Sequence, residues 1–133
     1  MPKPITIAAC VLALAVGLGT VACNKAGPPP PKNEIEAALA KPNAVILDVR
    51  SPKEFASGHV PGAINLPVKD VSSKVESVIK DKDTTIIVHC AAGVRSGRAT
   101  KAMQKLGYKN IVDAKNPKAV ADAKGVPLTK PKP

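Results

Sequence analysis

Aromatic side chains are scarce in this chain of 133 residues: tryptophan is absent, and Phe55 and Tyr108 are the only phenylalanine and tyrosine. A folded core must therefore consist mainly of valine, isoleucine, leucine and alanine side chains. The formal net charge is +10, but no aromatic residues lie among the lysines to stack bases, and no known nucleic-acid motif is present. We expect no nucleic-acid partner. The lysines are interpreted as a solvated surface, with small anions attracted chiefly by the arginines that follow Cys90.

The N-terminal segment has the features of an export signal. Lys3 precedes an apolar run from Ile5 to Leu18, and small residues follow that run. This order is typical of a secretory signal, and the run is too short for a permanent membrane helix. The residues up to Cys23 resemble a bacterial lipobox, so we predict a signal peptide at 1–22 and lipid on the Cys23 sulfur. An ordinary signal cleaved after the preceding alanine is the alternative.

Cysteine is also scarce, and processing would reduce it further. Cys10 would leave with the signal and Cys23 would carry the lipid, so Cys90 would be the single thiol of the mature protein. An internal disulfide is then excluded, and an unpaired cysteine in an exported protein indicates either intermolecular oxidation or a chemical role. The proline-rich residues 23–32 are predicted to form a semi-rigid tether. The residue after Cys23 is Asn24 and not aspartate, which resembles the outer-membrane sorting signal of Gram-negative lipoproteins. We therefore expect a periplasmic protein held to the outer membrane by its lipid alone.

Helical and strand patterns alternate through the rest of the chain. Apolar runs rich in β-branched residues predict strands buried on both faces, and one-sided apolar stripes with capping residues predict helices. The alternation predicts an α/β domain at residues 33–125, with a central parallel sheet covered on both faces, and a loose Lys/Pro tail at 126–133. Predicted helices follow caps at Asn33 and Ser51 and cover residues 34–40, 52–57, 70–80 and 96–106, and predicted strands cover residues 44–49, 63–67, 84–90 and 111–112.

Cys90 stands where such a fold binds its ligands, at the carboxyl end of a buried strand. A turn and a helix from Ser96 follow it, so unpaired backbone N–H groups and the helix dipole should favour the thiolate and lower its pKa. Gly93 allows the loop to curl with its amides inward, and Arg95 adds a positive guanidinium, with Arg98 as a possible second. The loop therefore suits both a nucleophilic thiolate and an incoming oxyanion.

The alternative interpretation of Cys90 is a small core residue beside an ordinary turn. The combination of a single mature thiol, a glycine turn and Arg95 favours the chemical role. His89 should point to the opposite face of the strand and is a poor candidate for a general base. Because the histidines and cysteines lack zinc-ligand spacing, we expect no metal.

Two segments resemble one known family. CAAGVRS, residues 90–96, resembles the rhodanese active-site signature Cys-x-x-Gly-x-Arg-Ser/Thr, and LDVRSPKEFASGHVPGAINLP, residues 47–67, resembles the second characteristic segment of that family. Both lie in the expected order, and the resemblance covers about residues 33–112. It implies a three-layer α/β/α rhodanese-like fold and a single-domain sulfurtransferase, close to the small exported rhodaneses, that acts without a cofactor. We expect a monomer.

The resemblance also implies a mechanism. The Cys90 thiolate would attack the outer sulfur of thiosulfate, sulfite would leave, and the persulfide would pass its sulfur to cyanide or a thiol. The loop that follows would bind the anionic substrate through its amides and one guanidinium. The predicted substrate-binding residues are Ala91, Ala92, Gly93, Val94, Arg95 and Ser96.

Two other functions are compatible with the same loop. The first is a persulfide carrier that hands sulfur to a partner envelope protein with little turnover of its own. The second is arsenate or phosphate-ester chemistry, which is disfavoured because related phosphatases and arsenate reductases place five residues between cysteine and arginine. This chain places four between Cys90 and Arg95.

Four charged or titratable residues outside the loop receive a structural interpretation. We expect Arg50 to pair with Glu54, and His59 to hold the turn that follows it, while Asp48 belongs to the same scaffold. The chain departs from the family pattern in residues 113–125, which lack the usual Gly-Gly turn and the tryptophan after it. The form of the last helix and its contacts with an acceptor are therefore open.

Overall fold

Four short parallel strands form the centre of the fold in residues 28–130, the part of the chain that the computed structural model describes. They lie in the order β2-β1-β3-β4, so the chain crosses the sheet between non-consecutive neighbours. All three strand pairings are parallel. The strands are β1 Val45–Asp48, β2 Ile64–Asn65, β3 Ile86–His89 and β4 Ile111–Lys115, and the helices are α1 Lys32–Leu39, α2 Pro52–Ser57, α3 Val68–Val78, α4 Val94–Lys105 and α5 Pro117–Lys124.

The two faces of the sheet carry separate apolar cores. Every residue of β3 is buried, as expected for a parallel strand with helices on both sides. Val88 and Cys90 belong to the core under α3 and α4, whereas Ile87 belongs to the core under α1 and α5. The alternation of strand side chains thus divides one sequence run between two cores. The predicted α/β/α fold with its parallel sheet is confirmed.

Local capping chemistry fixes the start of α2 as the sequence predicts. The Ser51 hydroxyl accepts a hydrogen bond from the Glu54 N–H at 3.2 Å, and the Glu54 carboxylate accepts one from the Ser51 N–H at 3.0 Å. This reciprocal pair is a capping box with Pro52 in the first helical position,. The prediction of an Asn33 cap is wrong, because α1 already begins at Lys32 after the extended Pro31.

Helix α4 begins two residues earlier than the predicted Ser96. Gly93 takes a left-handed conformation with φ of 99° and is the N-cap of α4, so Val94 is the first helical residue. Since glycine tolerates this conformation, the chain passes directly from the short turn after Cys90 into the helix. The loop after Cys90 is therefore shorter than the sequence pattern suggests.

The segment after β4 has its own turn and cap. Lys115 is the one non-glycine residue with positive φ, 69°, within residues 28–130. The Asn116 side chain then accepts from the Ala119 N–H at 2.9 Å and caps α5. A left-handed lysine followed by an asparagine cap therefore forms the turn between β4 and α5.

Thr129 lies in the segment predicted to be a loose tail, residues 126–133, but it makes specific hydrogen bonds. Its N–H donates to the His59 carbonyl at 2.8 Å, and its hydroxyl oxygen accepts from the His59 N–H at 3.1 Å. Thr129 is thereby tied to His59, which directly follows the C-cap of α2. The predicted signal peptide, Cys23 and the first half of the tether, to residue 27, lie outside the described residues. No described helix has the length and apolar character needed to cross a membrane.

Candidate active site

Cys90 lies directly after β3, at the carboxyl edge of the sheet. It is 1% exposed and belongs to the apolar core beneath α3 and α4. Its N–H donates to the Lys115 carbonyl at 3.3 Å, so the neighbouring strand β4 holds its backbone in place. Cys90 is the one cysteine within residues 28–130, and its thiol is free.

The loop that follows wraps around the Cys90 sulfur. The Gly93 N–H donates to Sγ at 3.0 Å. The Ser96 hydroxyl donates to the Gly93 carbonyl at 3.1 Å, and its oxygen lies 3.7 Å from Sγ. Ala91, Ala92 and Val94 are exposed along the rim of this turn. Of the predicted residues 91–96, the structure thus brings Gly93 and Ser96 to the sulfur atom, at the N-terminus of α4.

Opposing effects set the acidity of the Cys90 thiol. Burial disfavours the thiolate and raises the pKa, whereas the backbone N–H and hydroxyl of Ser96 and the amides of Ala92 and Gly93 stabilise it, and the net effect lowers the pKa of Cys90,. The backbone N–H groups of Gly93 and Ser96 belong to the N-cap and first turn of α4, where the sequence predicts unpaired donors,. The thiolate is therefore favoured by fixed dipoles rather than by a neighbouring base.

Arg95 forms a two-bonded ion pair with Glu54. Its Nη1 donates to Oε2 at 2.7 Å and its Nη2 donates to Oε1 at 2.8 Å. The hydrogen bonds from Arg95, followed by those from Ser51, hold the pKa of Glu54 far below its ordinary value, so the carboxylate stays charged. A guanidinium has five N–H donors, and this geometry leaves the remaining donors of Arg95 for another anion.

The predicted pairing of Arg50 with Glu54 is wrong. Arg50 pairs instead with Asp48, which is fully buried, at 2.7 Å from Nη2 to Oδ2. The same Nη2 also donates to the Gly58 carbonyl at 2.8 Å. Asp48 ends β1 and lies two residues from Arg50, so its carboxylate is close enough in sequence to pair with this guanidinium. Glu54 is then free to pair with Arg95.

His59 and His89 both have positions that argue against catalysis. His59 stacks on Phe55 with ring centroids 3.7 Å apart, and its Nδ1 bonds the Phe55 carbonyl at 2.9 Å, which agrees with the predicted structural role. His89 is fully buried, and neither ring nitrogen has a hydrogen-bond partner within the described chain. Burial lowers the pKa of His89, so the ring is neutral. Strand alternation places it opposite Cys90.

Two contributors to the site are missing from the sequence prediction. Lys115 contributes its main-chain carbonyl, which lies 3.7 Å from the Cys90 Sγ, and no side-chain pattern marks such a role. Glu54 contributes the carboxylate that positions Arg95, although its place in the capping box gives no sign of this second partner. In residues 28–130, no group of three or more histidine, cysteine, aspartate or glutamate side chains is arranged to hold a metal ion.

Comparisons with known proteins agree with this geometry. Residues 32–116 match the family described as a rhodanese-like domain. The chain is similar to thiosulfate sulfurtransferase PspE of Escherichia coli (strain K12), with 37% identity over 75 residues, which cover 56% of this chain and 72% of that protein. It is also similar to thiosulfate:glutathione sulfurtransferase of Homo sapiens, with 34% identity over 87 residues, covering 56% of this chain and 76% of that protein.

A solved structure described as rhodanese with anions from E. coli has the same fold. It aligns with a TM-score of 0.59 and 34% identity, over 65% of this chain and 98% of that chain.

Proposed function

The chain belongs to the rhodanese-like domain family, and on that premise we propose that it is a sulfurtransferase that carries sulfane sulfur on Cys90. The names of the two similar sulfurtransferases from Escherichia coli and Homo sapiens support sulfur transfer, with thiosulfate as donor. The observation that carries the proposal is the contact of the Gly93 N–H with the Cys90 Sγ, 3.0 Å long, at the start of α4. That contact stabilises negative charge on sulfur in both the resting and the reacting enzyme.

In the first step, the Cys90 thiolate attacks the outer sulfur of thiosulfate. A new S–S bond forms to Cys90, the S–S bond within thiosulfate breaks, and its electron pair leaves with sulfite. The fixed dipoles at the start of α4 favour the attacking thiolate without a base. Ala91 and Ala92 have small exposed side chains, which leaves room for the donor to approach the loop.

In the second step, cyanide or a thiolate attacks the outer sulfur of the Cys90 persulfide. The S–S bond breaks, and its electron pair returns to the Cys90 sulfur. The hydroxyl and N–H of Ser96 stabilise that returning charge, as they do in the free enzyme. We assign the amides of Ala91 to Val94 and the free donors of Arg95 to the binding of the sulfonate end of thiosulfate.

We also propose that the protein works as a monomer at the envelope, with Cys23 lipidated and no cofactor. The order of charged, apolar and small residues in 1–23 supports export. The proposed acceptors of the sulfur are cyanide and thiols.

The test of this function is a steady-state assay of thiocyanate formation from thiosulfate and cyanide. We expect turnover by the wild-type protein and loss of turnover in Cys90→Ser. Lys101→Ala is the control, since Lys101 lies on the exposed side of α4 and should leave turnover unchanged. A wild-type protein without turnover, or a Cys90→Ser protein that retains it, contradicts the proposal.

A further inference from the structure

A groove of about 320 Å³ opens beside the Arg95–Glu54 ion pair. Four of its lining residues are apolar, and two carry positive charge. A volume of this size lies at the lower end of the range for small-molecule sites. The apolar lining residues are Val49, Pro52, Pro67 and Val68, and the cations are Lys69 and Arg95.

Main-chain hydrogen bonds connect the floor of this groove to the strand that carries Cys90. The Val49 N–H donates to the His89 carbonyl at 3.0 Å, and the Val68 N–H donates to the Val49 carbonyl at 3.1 Å. The floor therefore runs from the residue before Cys90 to the first turn of α3. Arg95 lines the groove and also follows the turn after Cys90, so a ligand in the groove lies against the segment that wraps around the Cys90 sulfur.

The charge of the groove is carried by Lys69. Lys69 is exposed and forms no ion pair with any residue of the 28–130 segment. The positive charge of Arg95 is matched by Glu54 at 2.7 Å, and the Ser51 hydroxyl donates to the same carboxylate at 2.8 Å. The adjacent Asp70 is engaged by Lys74 at 3.6 Å. Lys69 is therefore the unmatched charge on the groove wall.

We propose that this groove is the acceptor site, and that it takes a thiol of about dipeptide size whose carboxylate pairs with Lys69. This inference rests on the proposed sulfurtransferase function and names its acceptor class. Apolar walls suit the body of an organic molecule, which cyanide and inorganic anions lack, and a single free cation suits one terminal carboxylate. The thiol end of such a ligand points past Arg95 towards the persulfide on Cys90.

The transfer step is balanced without any further reactant. The acceptor thiolate attacks the outer sulfur of the Cys90 persulfide and forms a new S–S bond. The bond from that sulfur to Cys90 Sγ breaks, and the electron pair stays on Sγ. The product is the acceptor persulfide, and Cys90 returns as the thiolate.

A matched pair of acceptors tests the inference. N-acetylcysteinylglycine and its C-terminal amide differ only in the carboxylate, which is remote from the thiol. With thiosulfate as donor, Lys69→Ala should raise the KM of the carboxylate form about threefold, the order expected for an exposed ion pair, and leave the KM of the amide and both kcat values unchanged. Lys69→Glu should raise the former KM further, and Lys69→Arg should restore it.

The control variant is Lys101→Ala, which removes the same charge from a residue that does not line the groove. It should change neither KM. Equal KM effects of Lys69→Ala on both peptides, or no effect on either, overturn the inference. A third outcome also overturns the inference: both peptides react equally slowly, and an acidic protein accepts sulfur rapidly. The acceptor would then be a protein.

Binding of the S-methylated peptide separates this inference from the proposed function. That peptide cannot accept sulfur, and we expect it to shift the amide resonances of Val49 and Lys69 in wild-type protein and to bind more weakly to Lys69→Ala. Failure of the proposed function appears as no gain of sulfur on Cys90. If only the acceptor-site inference fails, Cys90 still forms the persulfide. The affinity for the peptide is then the same in wild type and Lys69→Ala, with or without the carboxylate.

Discussion

Arg95 and Glu54 join the active-site loop to the first turn of α2 through two parallel hydrogen bonds of 2.7 and 2.8 Å. The residues are 41 positions apart in sequence. A two-bonded pair of this kind fixes the plane of the guanidinium as well as its position. Glu54 thereby has two roles, since it also completes the capping box with Ser51.

Replacement of Glu54 by Gln should lower the free energy of unfolding by about 1 kcal/mol at pH 7, the upper end for a partly exposed pair. Glutamine can still serve in a capping box, so the loss reports mainly the ion pair. Because the pKa of Glu54 is lowered in the folded protein, its stabilisation is complete above the unfolded pKa of about 4.3 and is lost as the pH falls below it. Urea titrations of both proteins from pH 7 to 3 check this, and a pH-independent difference contradicts it.

Ser96 should set part of the acidity of Cys90. Removal of its hydroxyl in Ser96→Ala takes away a group that lies 3.7 Å from Sγ and favours the thiolate, while the backbone N–H stays, so we expect the pKa of Cys90 to rise. The pH dependence of the alkylation rate with iodoacetamide measures this shift. Ser73→Ala, an exposed serine on α3 that bonds only the Asp70 carbonyl at 3.2 Å, is the matched control. Identical alkylation profiles for wild type and Ser96→Ala would contradict this account of the thiolate.

Two glycines at the start of α4 should respond in opposite ways to alanine. Gly93 has φ of 99°, so Gly93→Ala adds strain of about 1–2 kcal/mol and disturbs the amide that contacts the Cys90 sulfur. We expect lower stability and at least a tenfold loss of sulfur transfer, on the order of one lost charge-stabilising donor.

The companion variant is Gly97→Ala. Gly97 lies inside α4, and an added Cβ would meet its nearest neighbour at 3.9 Å, an ordinary contact. Because alanine favours helix formation over glycine by about 1 kcal/mol, stability should be equal or higher and activity retained. Thermal unfolding measures the stability of both variants, and thiocyanate assays measure their activity. Equal damage from the two substitutions would show that the Gly93 conformation is not the cause.

The proposed lipidation of Cys23 predicts where the protein is found in the cell. If its sulfur carries lipid, Cys23→Ser should move the protein from the membrane fraction to the soluble periplasmic fraction of the cell. Immunoblots of fractionated cells measure this, with Cys10→Ser as the control because Cys10 would leave with the signal. An unchanged distribution would favour an ordinary signal cleaved after Ala22.

Local sequence signals predict the parts of this fold that depend on local interactions. The capping box at Ser51 involves residues three apart, and the Cys90 loop is a continuous run, so both are readable from the chain. The buried strands β1 and β3 follow from apolar runs rich in β-branched residues, because burial on both faces favours apolar side chains throughout a strand.

Contacts between distant segments are not predictable in this way. Arg50 has two carboxylates within reach in sequence, Asp48 and Glu54, and only the folded geometry shows that the nearer one is buried beside it. The bond between His59 and Thr129 spans 70 positions and joins a segment whose composition suggests a loose tail. The main-chain carbonyl of Lys115 reaches Cys90 through strand pairing. Such a contact does not depend on the type of side chain, so the sequence does not indicate it.

Mass spectrometry of the non-reduced protein before and after thiosulfate tests most directly whether Cys90 carries sulfur. The account predicts that the wild-type protein gains the mass of one sulfur atom, that Cys90→Ser gains none, and that a thiol acceptor removes the gain. A wild-type protein that gains no sulfur, or a gain that persists in Cys90→Ser, would contradict it.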